Sequence, residues 1–332
     1  MDNTKFNQLD RPIVNETGKI RRVGFELEFS GLEMATVARI LADTLSGTYK
    51  PLNQAECKVE TKQLGTFKVE LDWQLGKILA RQRKDERDTD EDDPLMSWLT
   101  STASEIVPIE IVCPPIAADN LAALNPLIEA LREAGAMGTS ASPIYAFGVH
   151  INPELPDTKP VTIANYLKAF CLAQEWLVAE HKVDLSRRIT PYINLFPAGY
   201  VAVVLDYDGQ TTLDELIDDY VEHNPTRNRA LDMTPLFRHL NEERLTRAID
   251  DEKINARPTF HYRLPNCHVG REGWYLNQCW NLWCVIERLS LDEQRLVAMT
   301  SQWQARHDQI IPLQGYTWHS ELNEVQADLL SA

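Results

Sequence analysis

At 332 residues, 44% hydrophobic and 25% charged, the chain has material for a sizeable buried core, in one large domain or in a main domain with a helical C-terminal extension. A formal charge of -16 argues against a general nucleic-acid surface, which needs a basic stripe, but leaves room for a small anion held by local arginines or a cation. No apolar run approaches the roughly 20 residues of a membrane helix, and the start, MDNTKFNQLDRP, lacks the basic-then-apolar order of a secretory signal, so the cytoplasm is the expected location.

Residues 1–20 read as a polar arm leading into a first strand, Arg22 to Ser30. Apolar residues at helical spacing predict a helix from Glu33 to Ser46, and a hairpin follows, Cys57 to Thr61 and Thr66 to Trp73 around Leu64-Gly65. The run RQRKDERDTDEDD at 81–93 reads as a solvated helix end and loop. Ser104 to Val112 predicts a strand stopped by Pro114-Pro115, with Asp119 placed to cap a helix from Asn120 to Ala134. Ala141 to Asn152 predicts another strand, and Val161 to Lys182 a long helix. Asp184 to Asn194 reads as an irregular loop with two adjacent arginines, Tyr200 to Leu205 as a short apolar strand and 211–222 as an acidic helix. A last strand at 258–264 precedes three helices at about 272–289, 291–308 and 319–331. The six cysteines form no CxxC pair and sit mostly among apolar neighbours, which suits reduced core thiols.

Five predicted strands share a pattern. Side chains two apart on a strand lie on one face. In GFELEF, Phe25, Leu27 and Phe29 therefore oppose Glu26 and Glu28; in VELDW, Val69, Leu71 and Trp73 oppose Glu70 and Asp72. In PIEIV, Ile109 and Ile111 oppose Glu110; in FGVHIN, Phe147, Val149 and Ile151 oppose Gly148, His150 and Asn152; in FHYRL, Phe260, Tyr262 and Leu264 oppose His261 and Arg263. A half-solvated antiparallel sheet accounts for such alternation in any one strand. A solvated face normally mixes charges, however, because like charges directly opposed destabilise a sheet. Carboxylates so concentrated call for divalent cations, and hard oxygen ligands suit magnesium or manganese with a nucleotide. Arginines that could clamp phosphate or a substrate carboxylate are Arg187, Arg188, Arg227, Arg229 and Arg263.

The series GFELEF, PIEIVCPP, GVHINPE, SRR and TFHYRLP, in this order, resembles the amidoligase family related to glutamine synthetase and glutamate-cysteine ligase, over about residues 20–290. The resemblance implies an α+β fold: an antiparallel sheet of the glutamine-synthetase catalytic type, helices on its convex face and a helical C-terminal region. It divides the chain into an arm at 1–20, a catalytic domain at 21–290 and C-terminal helices at 291–332 packed on the same domain. It also implies an ATP-dependent ligase joining a small-molecule or peptide carboxylate to an amine through an acyl phosphate, with two or more Mg2+ ions (Mn2+ being an alternative) on the concave face.

Carried over residue by residue, the resemblance makes Glu26, Glu28, Glu110, His150 and His261 metal ligands. Arg187, Arg188, Asn152 and Arg263 become nucleotide contacts, and Glu110, Arg188 and Arg263 the catalytic set. Two positions depart from the pattern. His261-Tyr262-Arg263 stands where related sequences have Glu-x-Arg, which replaces a carboxylate ligand by imidazole, and Asp72 precedes Trp73-Gln74 where they have Gly-Ser. Two other functions fit the same residues: a metal- or metabolite-binding module without catalysis, and a metal-dependent hydrolase that works without ATP. Neither the two substrates nor the oligomeric state follows from the sequence.

Overall fold

A computed structural model of the chain describes residues 4–10, 12–53, 55–71, 108–141, 146–188, 191–307 and 318–331. The charge run at 81–93, Asp72 and Trp73 lie outside the described residues. Among the described residues seven strands form one sheet: β1 (Arg22–Phe29), β2 (Gly47–Pro51), β3 (Glu56–Thr61), β4 (Gly65–Leu71), β5 (Ile109–Val112), β6 (Ile116–Ala117) and β7 (Val149–Pro153). Every strand pair is antiparallel, in the order β2-β3-β4-β5-β1-β6, with β7 also on β1. β5 and β6 pair with successive parts of β1, separated by the Pro114-Pro115 step that removes two donors from the ladder.

The predicted alternation is realised. Phe25, Leu27, Phe29, Val69, Ile109, Ile111, Val149 and Ile151 are buried on one face. Helix α1 (Met34–Thr44) packs on β2, β3 and β4 and against α2 (Asn125–Glu133). The long helix α3 (Pro160–Glu180) and a later helix at Asn277–Leu291 bring Tyr166, Phe170 and Trp283 onto the rings of Phe260 and Tyr262. Arg21, one residue before β1, makes a bidentate ion pair with Glu287 at 2.8 and 2.9 Å inside this aromatic layer, and Trp283 donates to the same carboxylate. Removing one partner from such a buried pair costs about 3–5 kcal/mol, so it pins the start of β1 against the helices.

Two segments differ from their predicted states. Tyr200–Leu205 is helical, within α5 (Ala198–Asp206), and not a strand. Pro197 sits at its N-cap, and Tyr200, Val201, Val204 and Leu205 are buried at helical spacing against α3 and α6 (Leu213–His223). Residues 258–264 run antiparallel beside β7 but form only isolated bridges, at Thr259 and Tyr262. Pro153, opposite Phe260, accepts a hydrogen bond but has no N–H to return one, and a one-residue mismatch follows Tyr262. Tyr262 exchanges both hydrogen bonds with Ile151, while Val149, two residues back on β7, donates to Pro265, three residues on. The extra residue is a bulge, which breaks the ladder and re-aims side chains.

Smaller differences concern element ends. The predicted cap at Asp119 is not used: a 3-10 turn at Leu121–Leu124 leads into α2. The arginine-bearing loop contains a helical turn, α4 (Leu185–Arg188), and α7 (Thr234–Leu240) and α8 (Glu242–Thr246) occupy a stretch where no element was predicted. Three helices end the chain: α9 (Asn277–Leu291), α10 (Glu293–His307) and α11 (His319–Ser331). The last is tied to α3 through Trp176, whose indole donates to Asn323 at 2.9 Å. All six cysteines are buried free thiols, and no described helix is long and apolar enough to cross a membrane.

Candidate functional site

The polar face of the sheet carries a row of four glutamates. Glu56 of β3 is directly opposite Glu70 of β4, Glu70 opposite Glu110 of β5, and Glu110 opposite Glu28 of β1. In the adjacent row, Lys68 of β4 faces Val112, which faces Glu26, which faces His150 of β7. Lys68 reaches across to Glu70 at 2.5 Å and Glu56 at 3.4 Å, so the outer half of the glutamate row has a counter-charge. The inner half, Glu110 and Glu28, opens into a cavity of about 780 Å3. Glu26, Glu28, Glu70 and Glu110 line the sheet side with His150, and the facing wall carries Arg227, Lys253, Arg257, His261 and Arg263, with Asp251 3.5 Å from Arg227. A chain that is acidic as a whole thus holds a basic wall against an acidic floor.

Glu26 is 8% exposed and engaged on both oxygens. Oε2 is 2.9 Å from His150 Nδ1; Oε1 accepts from Asn152 Nδ2 at 3.0 Å and from Arg257 at 3.3 Å. Burial alone would raise this carboxyl, but the His150 hydrogen bond and the Arg257 guanidinium hold it well below the ordinary carboxylate range. His261 is pushed well below the ordinary histidine range, first by burial and then by Arg263 and Arg257, so at neutral pH it is an uncharged imidazole. Its Nδ1 lies 2.6 Å from Asn152 Oδ1 and 2.7 Å from Arg257 Nη2. Glu28 accepts from the Gly148 amide at 2.6 Å and sits 3.6 Å from His150 Nε2.

Among the described residues two clusters could hold a metal ion, Glu26 with His150 and His261, and Glu28 with Glu110 and His150; within each, the potential ligand atoms lie within 4.8 Å of one another. The second, two carboxylates with one imidazole, suits a hard divalent cation such as magnesium or manganese. His150 belongs to both clusters. Its Nδ1 is taken by Glu26, which leaves Nε2 directed at Glu28, the arrangement in which a ligating histidine gives its other N–H to a carboxylate.

The arginines take distinct places. Arg187 is buried and donates to the carbonyls of Arg263, Leu264 and Pro265 at 2.5–2.7 Å, closing the bulge from the inside. Gly148 permits this, because a Cβ there would lie 2.4 Å from Arg187 Nη2. Arg188, the next residue, is exposed and is not among the residues lining the cavity. Arg263 is oriented by buried Asp232, 2.9 Å away, and Asp232 is itself held by Thr234. Arg229 donates to the Leu195 carbonyl outside the cavity. Among the described residues, Arg227, Arg257 and Arg263 each keep a buried Nε–H with no hydrogen-bond partner, so this wall retains unmet demand for an acceptor.

The geometry thus gathers Glu26, Glu28, Glu110, His150, His261, Arg187 and Arg263 around one cavity, places Asn152 beside Glu26, and leaves Arg188 outside. Arg257, Lys253 and Asp232 were not singled out from sequence. For Arg257 a signal existed: in ARPTFHYR it shares the parity of His261 and Arg263, and so their face. Compared with known proteins, the chain matches over residues 19–285 a family model described as "Putative amidoligase enzyme". No curated protein and no solved structure matches it.

Proposed function

The chain belongs to the amidoligase family, and from that premise we propose that it is an ATP-dependent ligase that forms an amide or isopeptide bond between a carboxylate and an amine. The observation that carries the reading is the placement of Glu28, Glu110 and His150 opposite Arg227, Arg257 and Arg263 around one cavity. The acidic floor matches a divalent cation, and the basic wall matches phosphate or a substrate carboxylate. On this reading the sheet is of the glutamine-synthetase catalytic type with the cavity on its concave face, and the reaction draws on cytoplasmic ATP.

In the proposed chemistry a substrate carboxylate oxygen attacks the γ-phosphorus of ATP, the bond to ADP breaks and an acyl phosphate forms. The amine nitrogen then attacks the acyl carbon, phosphate leaves and the amine loses a proton. Activation is needed because a carboxylate oxygen is a poor leaving group. A Mg2+ or Mn2+ ion held by Glu28, Glu110 and His150 would supply charge neutralisation for the phosphate oxygens. Arg263, locked by Asp232, is positioned to bind the transferred group, and Arg227, 3.8 Å from the same aspartate, to bind its neighbour or the substrate acid. Arg187 acts as a positioning residue that fixes the backbone from Arg263 to Pro265.

The test is release of ADP and phosphate with purified protein over a panel of amino acids, short peptides and polyamines. Turnover that requires Mg2+ together with an acid and an amine supports the assignment; its absence across the panel counts against it. A second reading, a metabolite-binding module, is favoured by one observation: Arg257 already occupies His261, an expected metal ligand. Thermal stabilisation by Mg-ATP without any product would select it.

A further inference from the structure

We infer that Arg257 holds the place of a second divalent cation in the Glu26–His261 half of the site, so that the chain binds one divalent ion, at Glu28, Glu110 and His150 Nε2. The inference rests on the metal-dependent ligase reading and departs from the two or more ions that the family resemblance implies.

The argument begins with what each group can donate. A guanidinium has only N–H donors, so the 2.7 Å contact between Arg257 Nη2 and His261 Nδ1 requires a lone pair on Nδ1. With that lone pair engaged, the ring carries its one proton on Nε2, and neither nitrogen is left to coordinate a metal. Asn152 asks for the opposite tautomer. Its Oδ1 lies 2.6 Å from the same Nδ1 and can only accept, and its orientation is fixed by the bond from Nδ2 to Glu26. With Nδ1–H given to Asn152, Nε2 would offer its lone pair, but Arg257 would then face an N–H and must withdraw. Arg257 and a metal ion are therefore alternative occupants of this half-site.

Glu26 gives the same answer from the other side. Arg257 and Asn152 meet at its Oε1, and His150 takes Oε2. A divalent ion would have to displace the guanidinium or sit beside a like charge. Arg257 is anchored by its own backbone, whose amide donates to the Pro235 carbonyl at 3.1 Å, so its charge is built into the wall. Glu26 becomes a positioning residue on this account: its bond to Nδ1 of His150 turns Nε2 toward Glu28, where the single ion binds.

The experiment is an equilibrium titration with Mn2+, counting bound ions by the loss of the free-ion paramagnetic resonance signal, on the wild type, Arg257→Lys and Arg257→Gln, each checked for native circular dichroism. One bound ion is expected for the wild type and for Arg257→Lys, which keeps the positive charge, and two for Arg257→Gln, which frees Glu26 and His261. Two ions on the wild type would overturn the inference while leaving the ligase reading intact, and so would a single ion on Arg257→Gln. Zero ions on the wild type would overturn it together with the cation site it rests on. Should Arg257→Gln fail to fold, the wild-type count still decides between one ion and two.

Discussion

Replacing Glu28 by Gln removes one negative charge from the cavity floor while keeping the side chain's size. The Gly148 amide, now 2.6 Å from Oε2, retains an acceptor in the new amide, but a charge-assisted hydrogen bond becomes a neutral one. Buried Arg187, whose guanidinium Glu28 helps to keep charged, loses a counter-charge, and the directly opposed Glu110 is relieved of a like charge. These effects partly cancel, and the metal-free variant should lose about 0.5–2 kcal/mol of stability. The metal-linked effect is larger. A lost carboxylate ligand weakens binding by roughly 100-fold, so at a magnesium concentration 100 times the wild-type Kd the stabilisation falls from about 2.7 to about 0.4 kcal/mol. At about 2–4 °C per kcal/mol, magnesium should raise the wild-type Tm by roughly 5–10 °C and the variant's by about 1 °C. Thermal melts with and without Mg2+ measure both numbers. An undiminished magnesium shift in Glu28→Gln would refute the placement of the ion.

The adjacent arginines should separate sharply. Arg187→Ala leaves three carbonyls of the bulge without their donor and should cost about 3–5 kcal/mol in a denaturant titration, whereas Arg188→Ala, at an exposed position, should change stability by less than about 0.5 kcal/mol. If Arg188 meets the nucleotide as the family resemblance implies, its replacement should instead raise the KM for ATP. Acid stability should depend on His181, which burial, with Arg187 and His268 nearby, pushes down to about 3. The unfolded chain takes up this proton near pH 6.5 and the folded chain only near 3, so the contribution is complete above 6.5 and is lost as pH falls. The expected slope is up to about 1.4 kcal/mol per pH unit, and His181→Gln, which can still meet the Tyr262 hydroxyl, should flatten the curve of stability against pH between 6 and 4.

What the sequence made legible follows from how far each signal reaches along the chain. GFELEF, FKVEL, PIEIV and GVHIN each state a period of two over a few residues, and that local pattern suffices to fix which side chains face the core and which face the cavity. It also exposes the acid set, because the pattern is the same whatever the partner strand. YVAVVL is too short and too uniformly apolar to carry a period, and its helical state comes from packing on α3 and α6. FHYRL kept its alternation but lost its ladder to Pro153, which has no N–H to offer Phe260, and to the bulge before Pro265, both of which depend on β7 and not on FHYRL itself. Arg187 and Arg188 look equivalent in SRR; one turn of α4 buries the first and exposes the second, a difference that only the Gly148 gap and the three carbonyls beneath it decide. Asp232, Lys253 and Asp251 lie in stretches without period and reach the site only through the tertiary fold.

Carboxyl activation is the central claim, and oxygen transfer tests it most directly. With an acid substrate labelled with 18O in both carboxyl oxygens, Mg-ATP and an amine, one labelled oxygen should leave with the phosphate, making it two mass units heavier, while the amide keeps the other. Phosphate released at natural mass alongside ADP would mean that water, not the carboxylate, attacks the nucleotide, and would contradict the account.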